Sequence, residues 1–134
     1  YFINVASAAG LMNAPQMSSY NASKAGVISI SETLKFELEK FNIGISVVCP
    51  AFFKTNLTES MKSTVKGVTK RIAKVMEHSK VTADDVANDI FNSHQQGQFW
   101  VLSHKLERKL WLLKRYLPSL FSRIMKKQMA KLLA

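Results

Sequence analysis

The sequence predicts an α/β fold with a parallel sheet, and three features of the chain support this prediction. Residues 1–5 and 43–49 form two short segments that are uncharged and rich in β-branched side chains, as is typical of parallel strands covered on both faces. Between them, apolar residues recur at steps of three or four, which is the spacing of one helix face. A strand, a long helix and a second strand in this order form one crossover unit of a parallel sheet.

The first half of the chain contains this unit. We expect a buried strand over residues 1–5, a turn of small residues over 6–10 and, after a loop, a long helix from residue 19 or 20 to about residue 41. The apolar stripe of this helix consists of Val27, Ile30, Leu34, Leu38 and Phe41. The second strand ends at Pro50, because proline lacks the amide hydrogen that a strand donates.

The second half of the chain is more helical. A basic helical stretch is expected over residues 63–77. Thr82 predicts the start of another helix, because the acidic residues that follow it favour the positive helix N-terminus. A short third strand follows over residues 99–102, and the tail over residues 105–134 forms two helical segments separated at Pro118.

Positive charge is concentrated in the tail. Residues 105–134 contain nine Lys and Arg residues and one Glu, a net charge of +8, whereas residues 1–104 contain ten against eight, a net charge of +2. We therefore do not expect the chain to bind nucleic acid. The single cysteine, Cys49, excludes an internal disulfide, and we interpret it as a core residue.

Three polar residues indicate a catalytic site. Tyr20 and Lys24 are four residues apart and therefore share one helix face. An ammonium group beside a phenol lowers the pKa of the tyrosine from its usual value of about 10, which suits the hydroxyl to proton transfer. Ser7 follows the first strand, at the sheet edge where α/β proteins bind ligands. The alternatives are a solvent-exposed Tyr–Lys pair and a serine that only caps a helix.

The motifs around these residues resemble the short-chain dehydrogenase/reductase family of the classical type. The matching segments are Asn4–Ser7, the Tyr-x-x-x-Lys motif of Tyr20–Lys24, and Cys49–Thr55, and the resemblance extends from Tyr1 to about Leu102. It implies the carboxy-terminal half of a Rossmann-type, doubly wound parallel sheet, followed by the basic helical tail. We expect a catalytic part over residues 1–104 and a tail over residues 105–134.

The resemblance also implies an oxidoreductase that transfers a hydride between NAD or NADP and a carbonyl or secondary-alcohol substrate. Ser7 would polarise the substrate carbonyl, Tyr20 would be the general acid or base, and Lys24 would lower the pKa of the tyrosine and bind the nicotinamide ribose. The residues expected at the cofactor are Tyr20, Lys24, Pro50, Ala51, Phe53 and Thr55. No metal is expected.

An apolar substrate pocket is a further prediction. Beside Ser7, its candidate residues are Ala9, Met12, Met17, Phe52 and Met61, and ordinary packing under a loop is the alternative. The resemblance implies that the region after Thr55 is a mobile lid over the substrate, with residues 62–74 on its solvent side.

The chain departs from the family pattern in four ways. Its five glycines are too far apart to form the glycine-rich turn that holds the cofactor phosphates. The residue that selects the adenosine ribose and the fourth catalytic residue, an Asn, are also missing, and the usual glycine after the proline is Ala51. We therefore expect an incomplete chain that is inactive alone. The alternative is a non-enzymatic remnant whose tail binds a membrane or a partner.

Two surfaces predict partners. The long helix has a second face of small residues, Ala22, Gly26, Ser29 and Thr33, which would let another helix approach closely, so we expect a homo-oligomer through the helix Tyr20–Phe41.

In the tail, an apolar stripe of Leu106, Leu110, Leu113 and Leu117 lies beside basic residues and Trp111, as in helices that bind anionic membranes. Packing on its own or a partner subunit is the alternative. We expect a cytoplasmic protein, with peripheral membrane contact through the tail as a further prediction.

Overall fold

The computed structural model describes residues 1–57 and 67–133. The strands are β1 (Phe2–Val5), β2 (Ile45–Val48) and β3 (Trp100–Val101). The helices are α1 (Ala8–Met12), α2 (Ser18–Glu39), α3 (Val68–Glu77), α4 (Ala83–Gln95), α5 (Lys105–Tyr116) and α6 (Pro118–Leu133). The predicted strand, long helix and strand are therefore present, and each strand is shorter than predicted.

The described strands form one parallel sheet in the order β1–β2–β3. Central strand β2 is buried at all four positions, which explains its uncharged sequence. The prediction that residues 1–5 are a buried strand is wrong: Phe2 is 54% and Val5 57% exposed. The reason is that β1 is an edge strand among the described residues, with a partner on one side only.

Side chains of β2 alternate between two hydrophobic clusters, as the two-residue period of a strand requires. Ile45, Val47 and Cys49 pack with Ile28 of α2 on one face of the sheet. Val48 packs with Val86 of α4 and Val101 of β3 in a second cluster. The sheet is thus covered by α2 on one side and α4 on the other.

The predicted core stripe of α2 is correct in part. Val27, Leu34 and Leu38 pack on the core, but Ile30 is 59% and Phe41 61% exposed. Ile30 lies off the face that packs on the sheet, and Phe41 follows the helix end at Glu39. The completely buried Ser31 occupies the centre of that face, where its hydroxyl donates to the Val27 carbonyl and accepts from the Asn4 side chain.

Helix α1 occupies the segment that was predicted to be a turn and a loop. Ser7 begins this helix by accepting a hydrogen bond from the Ala9 amide at 3.1 Å. Asn13 ends it in the left-handed conformation, at φ 57°. A five-residue helix is too short to produce a periodic apolar pattern, and only its two caps identify it in the sequence.

The remaining helices agree with their sequence signals. Thr82 and Asp85 form the reciprocal capping box that starts α4, and Pro118 is the first residue of α6. Helix α3 covers the second part of the predicted stretch 63–77; the first part, residues 63–66, lies outside the described residues, as does Met61. No helix in the part of the chain that the structure describes is long and apolar enough to cross a membrane.

Candidate functional site

The candidate site lies where β1 and β2 end, at one edge of the sheet. The chain leaves β1 through Ala6 and Ser7, and it leaves β2 through Cys49 and Pro50. Two hydrogen bonds connect the residues after β1 with the end of β2 and the segment that follows it. The Ala6 amide donates to the Val48 carbonyl at 2.8 Å, and the Ala8 amide donates to the Pro50 carbonyl at 2.9 Å. Ser7 and Pro50 are therefore brought together, as the shared edge of parallel strands predicts.

Tyr20 lies in the first turn of α2 and is 40% exposed. One turn further on, the Lys24 ammonium lies 5.9 Å from the centre of the tyrosine ring and donates a hydrogen bond to the Val5 carbonyl at 3.3 Å. The first turn of α2 contains no acidic residue, so its positive end is not neutralised there by a carboxylate. Tyr20 is thus partly exposed and has positive charge near its ring.

Ser7 is buried and caps α1, so the helix-cap alternative describes a real contact. Its hydroxyl oxygen accepts from the Ala9 amide, and its hydrogen is directed to the Pro50 carbonyl at 3.5 Å. A distance of 3.5 Å is long for a hydroxyl donor. Because a hydroxyl can accept and donate at the same time, capping fixes the side chain and leaves its hydrogen available for a substrate oxygen.

His104 contacts the first two residues after Pro50. The Ala51 amide donates to His104 Nδ1 at 3.3 Å, and His104 Nε2 lies 3.3 Å from the Phe52 carbonyl oxygen. Phe53 packs against the cluster of Val48 and its neighbours, and its ring centre lies 6.3 Å from that of His104. The more distant Thr55 is exposed and accepts a hydrogen bond from the Leu57 amide at 3.2 Å.

Ala51 replaces the glycine that the family pattern has after the proline. Among the described non-glycine residues, a positive φ occurs at Asn13, Gln16 and Asn42. Ala51 is not one of them, so its side chain causes no backbone strain.

Among the predicted substrate residues that the structure describes, only Phe52 lines the cleft beside His104. Phe52 lines a cleft of about 450 Å³. The described residues that share this cleft are Lys74, Val75, His78, Ser79, His104 and Glu107. Ala9 and Met17 are half-buried and are not among these lining residues. The assignment of Ser7, Ala9, Met17 and Phe52 to a substrate site stays a prediction.

His104 is the residue at this edge that the sequence reasoning missed. It is 8% exposed and follows β3, the third strand whose carboxyl end meets the same edge. That position is the signal that could have identified it, since ligands and their supporting residues collect at such ends.

Cys49 lies directly before Pro50 and is buried in the hydrophobic core. Burial raises the pKa of its thiol to about 12, and a backbone hydrogen bond from Ser7 and the charge of Lys24 only partly oppose this. The thiol therefore stays protonated near neutral pH. Within residues 1–57 and 67–133, no cluster of His, Cys, Asp and Glu could hold a metal ion.

A parallel sheet covered by helices on both faces, with polar residues at its carboxyl edge, defines a doubly wound α/β protein. The family model for the short chain dehydrogenases matches residues 2–66. The chain belongs to the short-chain dehydrogenase/reductase family.

Relatives and solved structures agree with this assignment. The chain is 31% identical to the CLA biosynthesis dehydrogenase/reductase of Lactiplantibacillus plantarum, in an alignment that covers 76% of this chain and 42% of the relative. It is 38% identical to a 3-oxoacyl-(acyl-carrier-protein) reductase of Synechocystis, with 46% of this chain and 25% of the relative covered. The chain thus spans less than half of either relative.

A crystal structure of a short-chain dehydrogenase/reductase from Burkholderia phymatum in complex with NAD is similar in three dimensions. The TM-score is 0.76 at 28% identity, and the match covers 88% of this chain and 47% of that one. A short-chain dehydrogenase from Novosphingobium aromaticivorans, at 22% identity and a TM-score of 0.57, shares the fold.

Proposed function

We propose that the full protein transfers a hydride between NAD or NADP and a carbonyl or secondary-alcohol substrate. One observation carries the proposal: Tyr20, which is 40% exposed, lies with its ring centre 5.9 Å from the Lys24 ammonium, on the helix against which the Ser7-capped α1 packs. The Burkholderia structure contains NAD, which supports a nicotinamide cofactor. The Synechocystis relative reduces a 3-oxoacyl group, which supports a carbonyl substrate.

The residues present fit one end of the cofactor. The ammonium of Lys24 has three hydrogens, and its bond to Val5 uses one of them, so it can also donate to ribose hydroxyls. Pro50, Ala51, Phe53 and Thr55 belong to the segment that we propose borders the nicotinamide. The described residues offer no matching cradle for the phosphates, because Gly10 and Gly26 lie inside helices and the other glycines are far apart in sequence.

The nicotinamide, when bound, supplies or accepts the hydride. In the reductive direction Tyr20 donates its hydroxyl proton to the substrate carbonyl oxygen as negative charge develops there. Lys24 favours the resulting phenolate, and Ser7 donates a hydrogen bond to the same oxygen. In the opposite direction the phenolate of Tyr20 accepts the proton of the alcohol.

The tail supports a second, separate proposal of peripheral membrane contact by a cytoplasmic protein. In the tail, Leu106 is 63%, Leu117 55% and Leu120 45% exposed, among exposed basic residues. Such a surface suits an anionic bilayer. The same surface supports the rival to catalysis, a non-enzymatic remnant that binds a membrane or a partner.

Replacement of Tyr20 in the full-length protein tests the catalytic proposal against this rival. Tyr20→Phe keeps the ring and removes the hydroxyl, so turnover should fall by at least about 100-fold, the scale of general acid–base catalysis. Tyr116→Phe is the matched control, because Tyr116 is 72% exposed on α5 and has no proposed role. If the two variants turn over equally well, Tyr20 is not the proton donor.

A further inference from the structure

The two ends of α5, the first tail helix, contact the two segments that flank the candidate site. Its N-terminal end begins at His104, and its last turn contains Lys114. Between them, Trp111 packs on Trp100 of β3 with ring centres 5.0 Å apart. The helix is therefore attached to the body of the protein at three points along its length.

His104 occupies the N-cap position of α5 but does not cap it. An N-cap side chain usually accepts a hydrogen bond from its own helix, whereas this imidazole bonds to Ala51 and Phe52. Because Nδ1 accepts from the Ala51 amide, the hydrogen of the neutral ring is on Nε2 and is donated to the Phe52 carbonyl. One buried ring thus holds two consecutive residues of the segment after Pro50.

Lys114 differs from the other basic residues of α5. Lys105, Arg108, Lys109 and Arg115 are exposed. The half-buried Lys114 donates to the Leu11 carbonyl in α1 at 2.6 Å. Desolvation lowers its pKa, which agrees with this inward position.

The Leu11 carbonyl needs a donor from outside its own helix. Helix α1 ends at Met12, so its last carbonyls have no partner in a following turn. The residue four positions after Leu11 is Pro15, which has no amide hydrogen. Lys114 supplies that donor and so fixes the end of the helix that Ser7 begins.

We infer that α5 positions the candidate site through its two ends: His104 holds the Ala51–Phe52 segment, and Lys114 holds the Ser7-capped helix α1. The two held segments meet at the hydrogen bond from the Ala8 amide to the Pro50 carbonyl. The catalytic part of this inference rests on the proposed function, and the structural part does not. The first tail helix then belongs to the catalytic unit, and the division expected at residue 104 falls after α5 instead.

Hydrogen exchange of backbone amides in the full chain tests the structural part without any need for activity. Lys114→Met should speed exchange in α1 at least about tenfold, the effect of losing a charged hydrogen bond, and Lys114→Arg should restore protection. Lys109→Met, which removes the same charge from an exposed position on α5, is the control. His104→Leu should speed exchange at Ala51, whereas His104→Asn keeps an acceptor where Nδ1 lies and should preserve it.

The central strand distinguishes positioning from general loss of stability. Exchange at Val47 and Val48 should be unchanged in every variant, because these residues report global unfolding. Equal acceleration in β2 and α1, or no acceleration at Ala51 in His104→Leu, would overturn the inference.

Kinetics of the full-length protein test the catalytic part. Lys114→Met should lower kcat with little change in the cofactor KM, because Ser7 acts on the substrate, and His104→Leu should raise the cofactor KM. Unchanged kinetics in variants with accelerated exchange would overturn positioning in an active protein. A further outcome is that exchange responds as expected while the unaltered full-length protein shows no turnover. In that case α5 still supports these two segments, and the proposed function is refuted instead.

Discussion

A β-carbon at Gly10 would lie 2.7 Å from the backbone carbonyl carbon of Lys24 and 2.8 Å from the backbone nitrogen of Ala25. Gly10 is therefore the point at which α1 packs directly on the backbone of α2. Because Ser7 caps α1 and α2 contains Tyr20 and Lys24, the missing side chain at residue 10 sets the distance between Ser7 and the Tyr20–Lys24 pair.

Gly10→Ala should destabilise the protein even though alanine favours helices. The propensity gain is about 1 kcal/mol, and overpacking against backbone atoms that cannot move aside costs about 1–3 kcal/mol. We expect the free energy of unfolding in urea to fall by up to about 2 kcal/mol. Asn88→Ala, which places alanine at an exposed position inside α4, is the control, and stability should not fall because alanine favours helices. A gain in both variants would contradict the close packing of α1 on α2.

The small-residue face of α2 remains the predicted oligomer interface. Ala22, Gly26, Ser29 and Thr33 are all exposed, and the apolar Ile30 and Phe36 beside them are 59% and 70% exposed. Gly26→Leu should therefore dissociate the full-length oligomer in sedimentation, because leucine fills the space that a partner helix needs. Glu39→Leu, about a third of a turn away from this face, should leave the assembly intact. A Gly26→Leu protein that sediments like the unaltered one would refute the interface.

Cys49 should be unreactive in the folded protein. With a pKa of about 12, its thiolate is a very small fraction at about pH 8, and the side chain is also buried. A thiol reagent should therefore modify it only after unfolding in urea. Since Cys49 is the single cysteine of residues 1–134, the signal from this chain has no other source. Rapid modification without denaturant would show that the strand end opens in solution.

The same pKa shift predicts a loss of stability in alkali. Above pH 9.0 the unfolded chain ionises its thiol while the folded chain keeps the proton, so the folded state binds more protons. The stability contributed by Cys49 is complete below that pH and declines as pH rises towards about 12. The difference in urea stability between the unaltered protein and Cys49→Ala should shrink over this range, and a constant difference would contradict the shift.

Local signals in the sequence predicted most of the fold. Uncharged β-branched runs and an intervening helical period identified β1, α2 and β2, and Thr82 identified the start of α4. The predictions that failed were those that depended on contacts with residues distant in sequence. The exposure of Phe2 follows from the edge position of β1 in the described sheet. The inward position of Lys114 follows from its hydrogen bond to a carbonyl at the end of α1. Neither contact can be predicted from the pattern of residue types alone.

The site was predictable as a set of residues rather than as an arrangement. The spacing of Tyr20 and Lys24 and the position of Ser7 after a strand identified the candidates. Ser7 both caps α1 and can donate a hydrogen bond. This double role could not be predicted, because α1 is too short to give a periodic apolar pattern in the sequence. His104 was missed because an isolated histidine has no motif, and its importance comes only from its two bonds to residues about 50 positions earlier.

The tail stripe is not one free apolar face. Leu110 and Leu113 are half-buried, and Trp111 packs on Trp100, so α5 has an inner side that deletion of the tail would expose. The outer side contains Leu106, which is 63% exposed, and several basic residues. A test of membrane contact should therefore change surface charge and leave the inner side intact.

Arg108→Glu combined with Lys109→Glu meets that requirement, because both residues are exposed on α5 and neither forms the contact of Lys114. Each basic residue near an anionic surface contributes about 1 kcal/mol, and salt screens it beyond about 10 Å at 0.1 M. The unaltered protein should pellet with anionic vesicles at low salt, less at higher salt, and not with neutral vesicles. The double variant should lose this binding, whereas Lys35→Glu with Lys40→Glu, the same charge change on α2, should retain it. Negligible pelleting of the unaltered protein on anionic vesicles at low salt would refute membrane contact. Equal pelleting of both double variants would show that the membrane-binding surface is not the outer side of α5.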